Sequence, residues 1–263
     1  MIIIGSKSNK LGEINYNKFG SKMKIIEYRK YNDIDVYFPE YDWTFYHARY
    51  DHFKEGNIKC PYSPSIFNKG CIGEGKYKPY FNCKATKEYS SWKHLLERCY
   101  DRKLHEKFPN YKECKVEEYL LNFQNFGEWH EENYYEVEGE RMHLDKDILV
   151  KGNKIYNREN MVFVPERINT LFTKRNKCRG DLPIGVSYDK KSNSYIASCK
   201  IYDFKSNKQI SKHIGVYNSS KEGFYAYKIF KENHIKEVAD YYKGKISQKL
   251  YDALMNYKVE ITD

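Results

Sequence analysis

The residues best suited to chemistry lie between Met142 and Asn160. Met-His-Leu-Asp-Lys-Asp-Ile-Leu-Val, from Met142 to Val150, alternates like a strand. In a strand His143, Asp145 and Asp147 share one face, and Lys146 points to the other. Lys151–Lys154 reads as a hairpin turn, Ile155–Tyr156 as the start of the return, and Asn157–Asn160 as the opening of a short helix. A hairpin leading into a helix, with Asp on its first strand and Asn about fifteen residues on, is the layout of a ββα-metal site. A bland reading of Asp145, Lys146 and Asp147 stands beside it: a salt-bridged hairpin.

Two helices are expected to hold this segment. Ser90–Tyr100 places Trp92, Leu95, Leu96 and Cys99 on one face, with Ser90 or Ser91 as cap. Val116–Trp129 gathers Tyr119, Leu120, Phe123, Phe126 and Trp129 on an apolar side. The acidic run from Glu131 to Glu140 reads as a solvated connection.

Residues 90–172 resemble the HNH-type endonuclease-like proteins of phages. The resemblance is carried by Trp92…Arg98-Cys99-Tyr100, Phe123-Gln-Asn-Phe-Gly-Glu-Trp129, Leu144-Asp-Lys-Asp-Ile-Leu149, Lys154-Ile-Tyr156, and Asn160…Phe163-Val-Pro165…Ile168-Asn169…Phe172. It implies one divalent ion, Mg²⁺ or Mn²⁺, that stabilises the scissile phosphate and the leaving oxygen. On matching positions Asp145 and Asn160 are ligands, with Asp147 beside them. Where the family has its His base, this chain has Lys146. A normal Lys is protonated at neutral pH and is no base. Three alternatives follow. His143 supplies the base; or Lys146 binds phosphate while His130 or His105 is the base; or the module does not cut and only packs on DNA. The expected catalytic set is His143, Asp145, Lys146 and Asn160.

The C-terminal part reads as three strands and a long helix. The strands are Ile184–Tyr188, Ser194–Ile201 and Gln209–Tyr217, with Tyr195, Ala197, Cys199 and Ile201 on one face. Ser219 or Ser220 caps a helix from about Lys221 to Tyr242, with Phe224, Ala226, Tyr227, Phe230, Ile235 and Val238 on its buried side, and Ile246–Tyr257 is a final helix. Residues 181–243 resemble the APETALA/ethylene-response-factor type of DNA-binding domain. That resemblance implies a sheet lying in the major groove. Ser187, Tyr188, Lys190, Lys191, Tyr195, Lys200, Lys212 and His213 are the expected contacts, with Lys on the backbone and Tyr or His on base edges.

The N-terminal part reads as a three-stranded antiparallel meander of Met23–Tyr28, Asp33–Phe38 and Trp43–His47. Asn15–Gly20 reads as a turn, and 54–80 as loop. Tyr28, Arg29, Lys30, His47, Arg49 and His52 are placed to meet phosphates or bases. Gly70-Cys-Ile-Gly-Glu-Gly75 lacks the helix of a phosphate-cradling loop, so no nucleotide cofactor is expected.

The expected fold class is α+β in three modules. Residues 1–89 form a basic β-rich domain, 90–175 the HNH-like ββα-metal module, and 176–263 a three-stranded antiparallel sheet on a long helix. The ends carry net charges of +5 and +6 and the centre −1, within a total of +10. Basic ends around a carboxylate-bearing centre suit a polyanion, and double-stranded DNA is the expected partner. A host defence protein or ribonucleoprotein is the alternative partner. Seven widely spaced Cys, with no close pairs, read as reduced thiols. No apolar run is long enough for a membrane span, and Met1–Gly5 is too short for a secretory signal. The protein is expected in the bacterial cytoplasm, encoded by a phage or mobile element. The expected function is a homing or restriction-like DNA endonuclease; the alternative is a DNA-binding regulator or phage inhibitor that does not cut.

Overall fold

The computed structural model describes residues 10–173, 180–204, 206 and 208–263. In chain order its strands and helices are β1 (Ile14–Tyr16), β2 (Lys22–Lys30), β3 (Asp33–Phe38), β4 (Trp43–Ala48), α1 (Tyr50–Lys54), β5 (Tyr80–Phe81), β6 (Lys84–Ala85), α2 (Lys87–Tyr100), α3 (Arg102–Lys107), β7 (Lys115–Val116) and α4 (Phe123–Asn133). Then come β8 (Met142–Asp145), β9 (Ile155–Tyr156), β10 (Val162–Pro165), α5 (Glu166–Leu171), β11 (Val186–Asp189), β12 (Ser194–Asp203), β13 (Lys208–Tyr217), α6 (Ser220–Tyr241) and α7 (Gln248–Met255). The expected start at Met1–Gly5 and the boundary at Arg175 lie outside the described residues. No helix among the described residues is long and apolar enough to cross a membrane. The chain is mixed α+β and divides into two compact units: up to Glu132 plus Lys154–Arg158, and Asn133–Asn153 plus Glu159–Asp263. Residues 90–175 are thus shared between both units.

In the first unit, β1 to β4 form an antiparallel sheet in sequence order. Met23 and Ile25 alternate with exposed Lys24, and meet Ile34, Val36, Phe38 and Phe53 in a core. The expected three-stranded meander gains a fourth strand. Ile14–Tyr16 pairs with Lys22–Lys24, so Asn15 and Tyr16, read as the start of a turn, belong to a strand instead. Helix α2 also starts earlier than expected: Thr86 Oγ1 accepts the Tyr89 N–H at 3.4 Å, so Ser90 and Ser91 lie inside the helix. Its face of Trp92, Leu95, Leu96 and Cys99 is buried, as the spacing predicts. The expected helix Val116–Trp129 is broken into β7, a 3-10 turn at Glu118–Leu121, and α4. Trp92 Nε1–H donates to the Leu120 carbonyl at 2.8 Å and holds that turn against α2. Glu131 ends up in the last turn of α4, not in a loop.

The second unit builds the C-terminal elements close to expectation. β11, β12 and β13 form an antiparallel sheet. Ser219 Oγ accepts the Glu222 N–H and starts α6. Ala197 and Cys199 pack with Phe224 and Tyr227 across the sheet–helix layer. Further along α6, Ile235, Val238, Ala239 and Tyr242 pack with α7 residues Leu250 and Leu254 and with Ile148, Val162, Val164 and Ile168. The strand–strand–helix piece therefore shares its core with the C-terminal helices. Glu140 is not solvated, as the acidic run suggested: it pairs with Arg167 at 3.0 Å and accepts the Tyr242 hydroxyl proton at 2.6 Å. The six described Cys are all free thiols; Cys178 lies outside the described residues.

Candidate functional site

β8 and β10 pair antiparallel, with Asp145 opposite Val162 and His143 opposite Val164, and α5 follows β10 directly. This is a strand–strand–helix arrangement, but not with the predicted partners. The expected strand Met142–Val150 stops at Asp145. Ile155–Tyr156 is not its return strand; it pairs in parallel with Lys115–Val116 of the first unit. Asn157–Asn160 forms a turn, and the helix begins only at Glu166.

The strand ends because Asp145 caps its own turn. Its Oδ1 accepts the N–H groups of Asp147 and Ile148, both at 2.8 Å. A short acidic side chain that bonds the backbone two and three residues on competes with strand pairing. His143 and Asp145 keep the shared strand face, whereas Asp147 lies beyond the strand and is exposed. Burial, then the neighbouring Asp147 carboxylate, pushes the Asp145 pKa up to about 6. Lys146 is buried, and its Nζ meets Asp147 Oδ2 at 3.1 Å. Asn153 Nδ2–H donates to the Lys146 carbonyl at 2.7 Å and closes the bend. Asn160 sits just before β10, at the same end of the strand pair as Asp145. Asp145 thus ends β8 with Lys146 and Asp147 after it, and Asn160 precedes β10 at that same end, with His143 two residues up the strand from Asp145.

The alternative bases belong to the first unit. His130 is buried on α4, and that burial pulls its pKa down to about 4. His105 Nε2–H faces the Arg98 carbonyl at 2.9 Å.

Among the described residues, one group of three His, Cys, Asp or Glu side chains brings its ligand atoms within 4.8 Å of one another: Asp33, Asp35 and His47. Two carboxylates and an imidazole are a donor set for a divalent ion. A cation is already there. Arg29 reaches Asp33 at 2.9 Å, Asp35 at 2.5 Å and Glu27 at 3.1 Å. Its guanidinium, then His47, holds Asp33 down at a pKa of about 2. A metal ion would have to displace it. Arg49 is likewise forked onto Asp51, at 3.0 and 2.6 Å. Both Arg side chains expected on phosphates are held by carboxylates of this chain.

The register of the C-terminal sheet sorts its expected contacts. Ala197 and Cys199 face α6, so residues paired with them share that side. Lys212, opposite Cys199, and Tyr195 fall on the helix side. Tyr188, opposite Tyr195, does too. Lys200 and His213 fall on the other face, with Ser187, Ser198 and Ser211. Lys190 and Lys191 stand exposed in the turn between β11 and β12. Of the expected contacts, that face thus carries Ser187, Lys200 and His213, with Tyr202 and Gln209 further along it.

Lys231 and His234 escaped the sequence reading. Both are buried on α6. The signal is spacing: Lys231 lies four residues after Tyr227 and four before Ile235, inside the apolar stripe. No protein-family model, curated protein or solved structure matches this chain.

Proposed function

We propose that the protein is a double-stranded DNA endonuclease of the metal-dependent ββα type, with DNA held by basic flanking sheets. The observation that carries this reading is the β8–β10–α5 piece, which presents His143 and Asp145 on one strand face with Asn160 at its end. In this reading Asp145 Oδ2 and Asn160 hold one Mg²⁺ or Mn²⁺, and His143 draws the proton from the attacking water. Lys146 plays no basic role; its ammonium faces Asp147. The Lys200 and His213 face of the sheet engages the duplex, Lys200 on phosphate and His213 on a base edge.

A second reading has one observation in its favour. Asp145 already uses Oδ1 for two backbone amides. In that reading the fold binds duplex DNA without cutting, as a regulator or an inhibitor of a host defence complex.

A nicking assay on supercoiled plasmid separates the two. With Mg²⁺ or Mn²⁺ the endonuclease converts it to open-circle or linear form, EDTA abolishes this, and Asp145→Asn loses it while keeping the turn acceptor. Tight, salt-sensitive binding with no scission under any metal overturns the nuclease and leaves the second reading. No DNA binding overturns both.

A further inference from the structure

In the second unit β12 outruns its neighbour. β11 begins at Val186, and the last bond between them runs from the Ser198 N–H to the Gly185 carbonyl. Gly185 has a φ of +79°, and a Cβ there would run into the Tyr227 ring. The chain turns away and leaves a cavity of about 610 Å³ beside Lys200 and Tyr202. That size falls within the roughly 300–1,000 Å³ of small-molecule sites.

Lys231 lines this cavity and is only 7% exposed. It makes no hydrogen bond or ion pair with the described residues. Burial lowers its pKa, and the Cys199 thiol beside it acts in the opposite sense. An ammonium with so little access to water and no bonded counter-charge is costly to hold, and an anion in the cavity would relieve that cost. Ser187, Ser198, Lys200 and Tyr202 also line the cavity, at the edge of β12 that β11 leaves open. A cation facing a space of this size suits a small anion, and a phosphate's oxygens accept charge-assisted hydrogen bonds from an ammonium. Phe172 and Tyr257, with ring centroids 4.7 Å apart, supply an aromatic wall. Asp263 lines the cavity as well, but its carboxylate is held by Lys151 at 2.7 Å.

We propose that this cavity binds a small organic phosphate, with Lys231 on the phosphate and the aromatic wall on its organic body. The site is separate from the proposed cleavage site and does not depend on it.

Calorimetric titration of the full chain with adenosine 5′-monophosphate, phenyl phosphate and inorganic phosphate tests this, beside Lys231→Met. The Met keeps the apolar stem and removes the charge. At least one organic phosphate should bind more tightly than inorganic phosphate, and Lys231→Met should weaken it roughly 10- to 100-fold. Equal affinity in the variant overturns the proposal, as does a wild type that binds none of the three. Inorganic phosphate bound as tightly as the organic ones overturns the role of the rings. A readout on the wild-type chain alone covers a variant that fails to fold. Reductive methylation of Lys231, read by peptide mass spectrometry, should be blocked by the organic phosphate; methylation unchanged at saturation overturns the proposal.

Discussion

Asp145 serves the fold before it serves any chemistry. Its Oδ1 satisfies two amides of the bend that ends β8. Asp145→Ala leaves those amides without their acceptor and is expected to cost about 1–3 kcal/mol in urea denaturation, while Asp145→Asn recovers most of it. Loss of cleavage in the Asn variant therefore reports on chemistry, whereas loss in the Ala variant mixes chemistry with stability. His130 carries the clearest pH dependence. Its pKa falls from 6.5 in the unfolded chain to about 4 in the fold, because burial disfavours the imidazolium. The unfolded chain therefore binds the extra proton first. Stability is full above about pH 6.5 and falls as pH drops towards 4, by an amount on the order of 3 kcal/mol at the limit. Thermal melts across that range should show the loss, and His130→Gln should flatten it. The two Arg clamps differ as well. Arg29 neutralises Asp35, which is buried; Arg49 neutralises Asp51, which is only partly buried. Arg29→Ala should lower Tm more than Arg49→Ala, because it alone strands a buried carboxylate.

At the scale of elements, local signals were legible and non-local pairings were not. Strand alternation from Tyr195 to Ile201 and the Ser219 cap placed β12 and α6 almost to the residue. The same alternation over Met142–Val150 overran, because periodicity does not register a side chain that bonds its own backbone. Nothing local tells Ile155–Tyr156 to seek Lys115–Val116 rather than the strand beside it in sequence. Likewise Thr86 precedes the apolar stripe of α2 by more than a turn, so the serines nearer the stripe looked like the cap. The consequence is measurable. Thr86→Ala should cost about 1 kcal/mol, while Ser90→Ala and Ser91→Ala should stay within about 0.5 kcal/mol in chemical denaturation. Of the candidate site, the order of Asp145, Lys146 and Asp147 along one strand end and of Asn160 ahead of the next strand was readable in the sequence. The Arg29 clamp and the cavity over Lys231 were not, since each joins residues distant in sequence.

At the scale of the whole molecule, sequence boundaries and packing boundaries differ. Residues 176–263 look self-contained in sequence, yet Ile235, Val238 and Tyr242 bury themselves partly against Ile148, Val162, Val164 and Ile168. A fragment of 176–263 would expose that apolar surface. It is expected to give a broad, weakly cooperative melt by circular dichroism, while 133–263 should melt cooperatively. The chain also crosses between the units three times, returning to the first for only Lys154–Arg158. This gives the order of events on the ribosome. The first unit cannot complete its parallel strand pair until Tyr156 has emerged, long after Val116. By then β8 is already out and waiting for β10, so neither unit closes before the other has begun. Pauses in translation between Val116 and Tyr156 would leave the edge of β7 unpaired, the state in which a nascent chain is most exposed to aggregation.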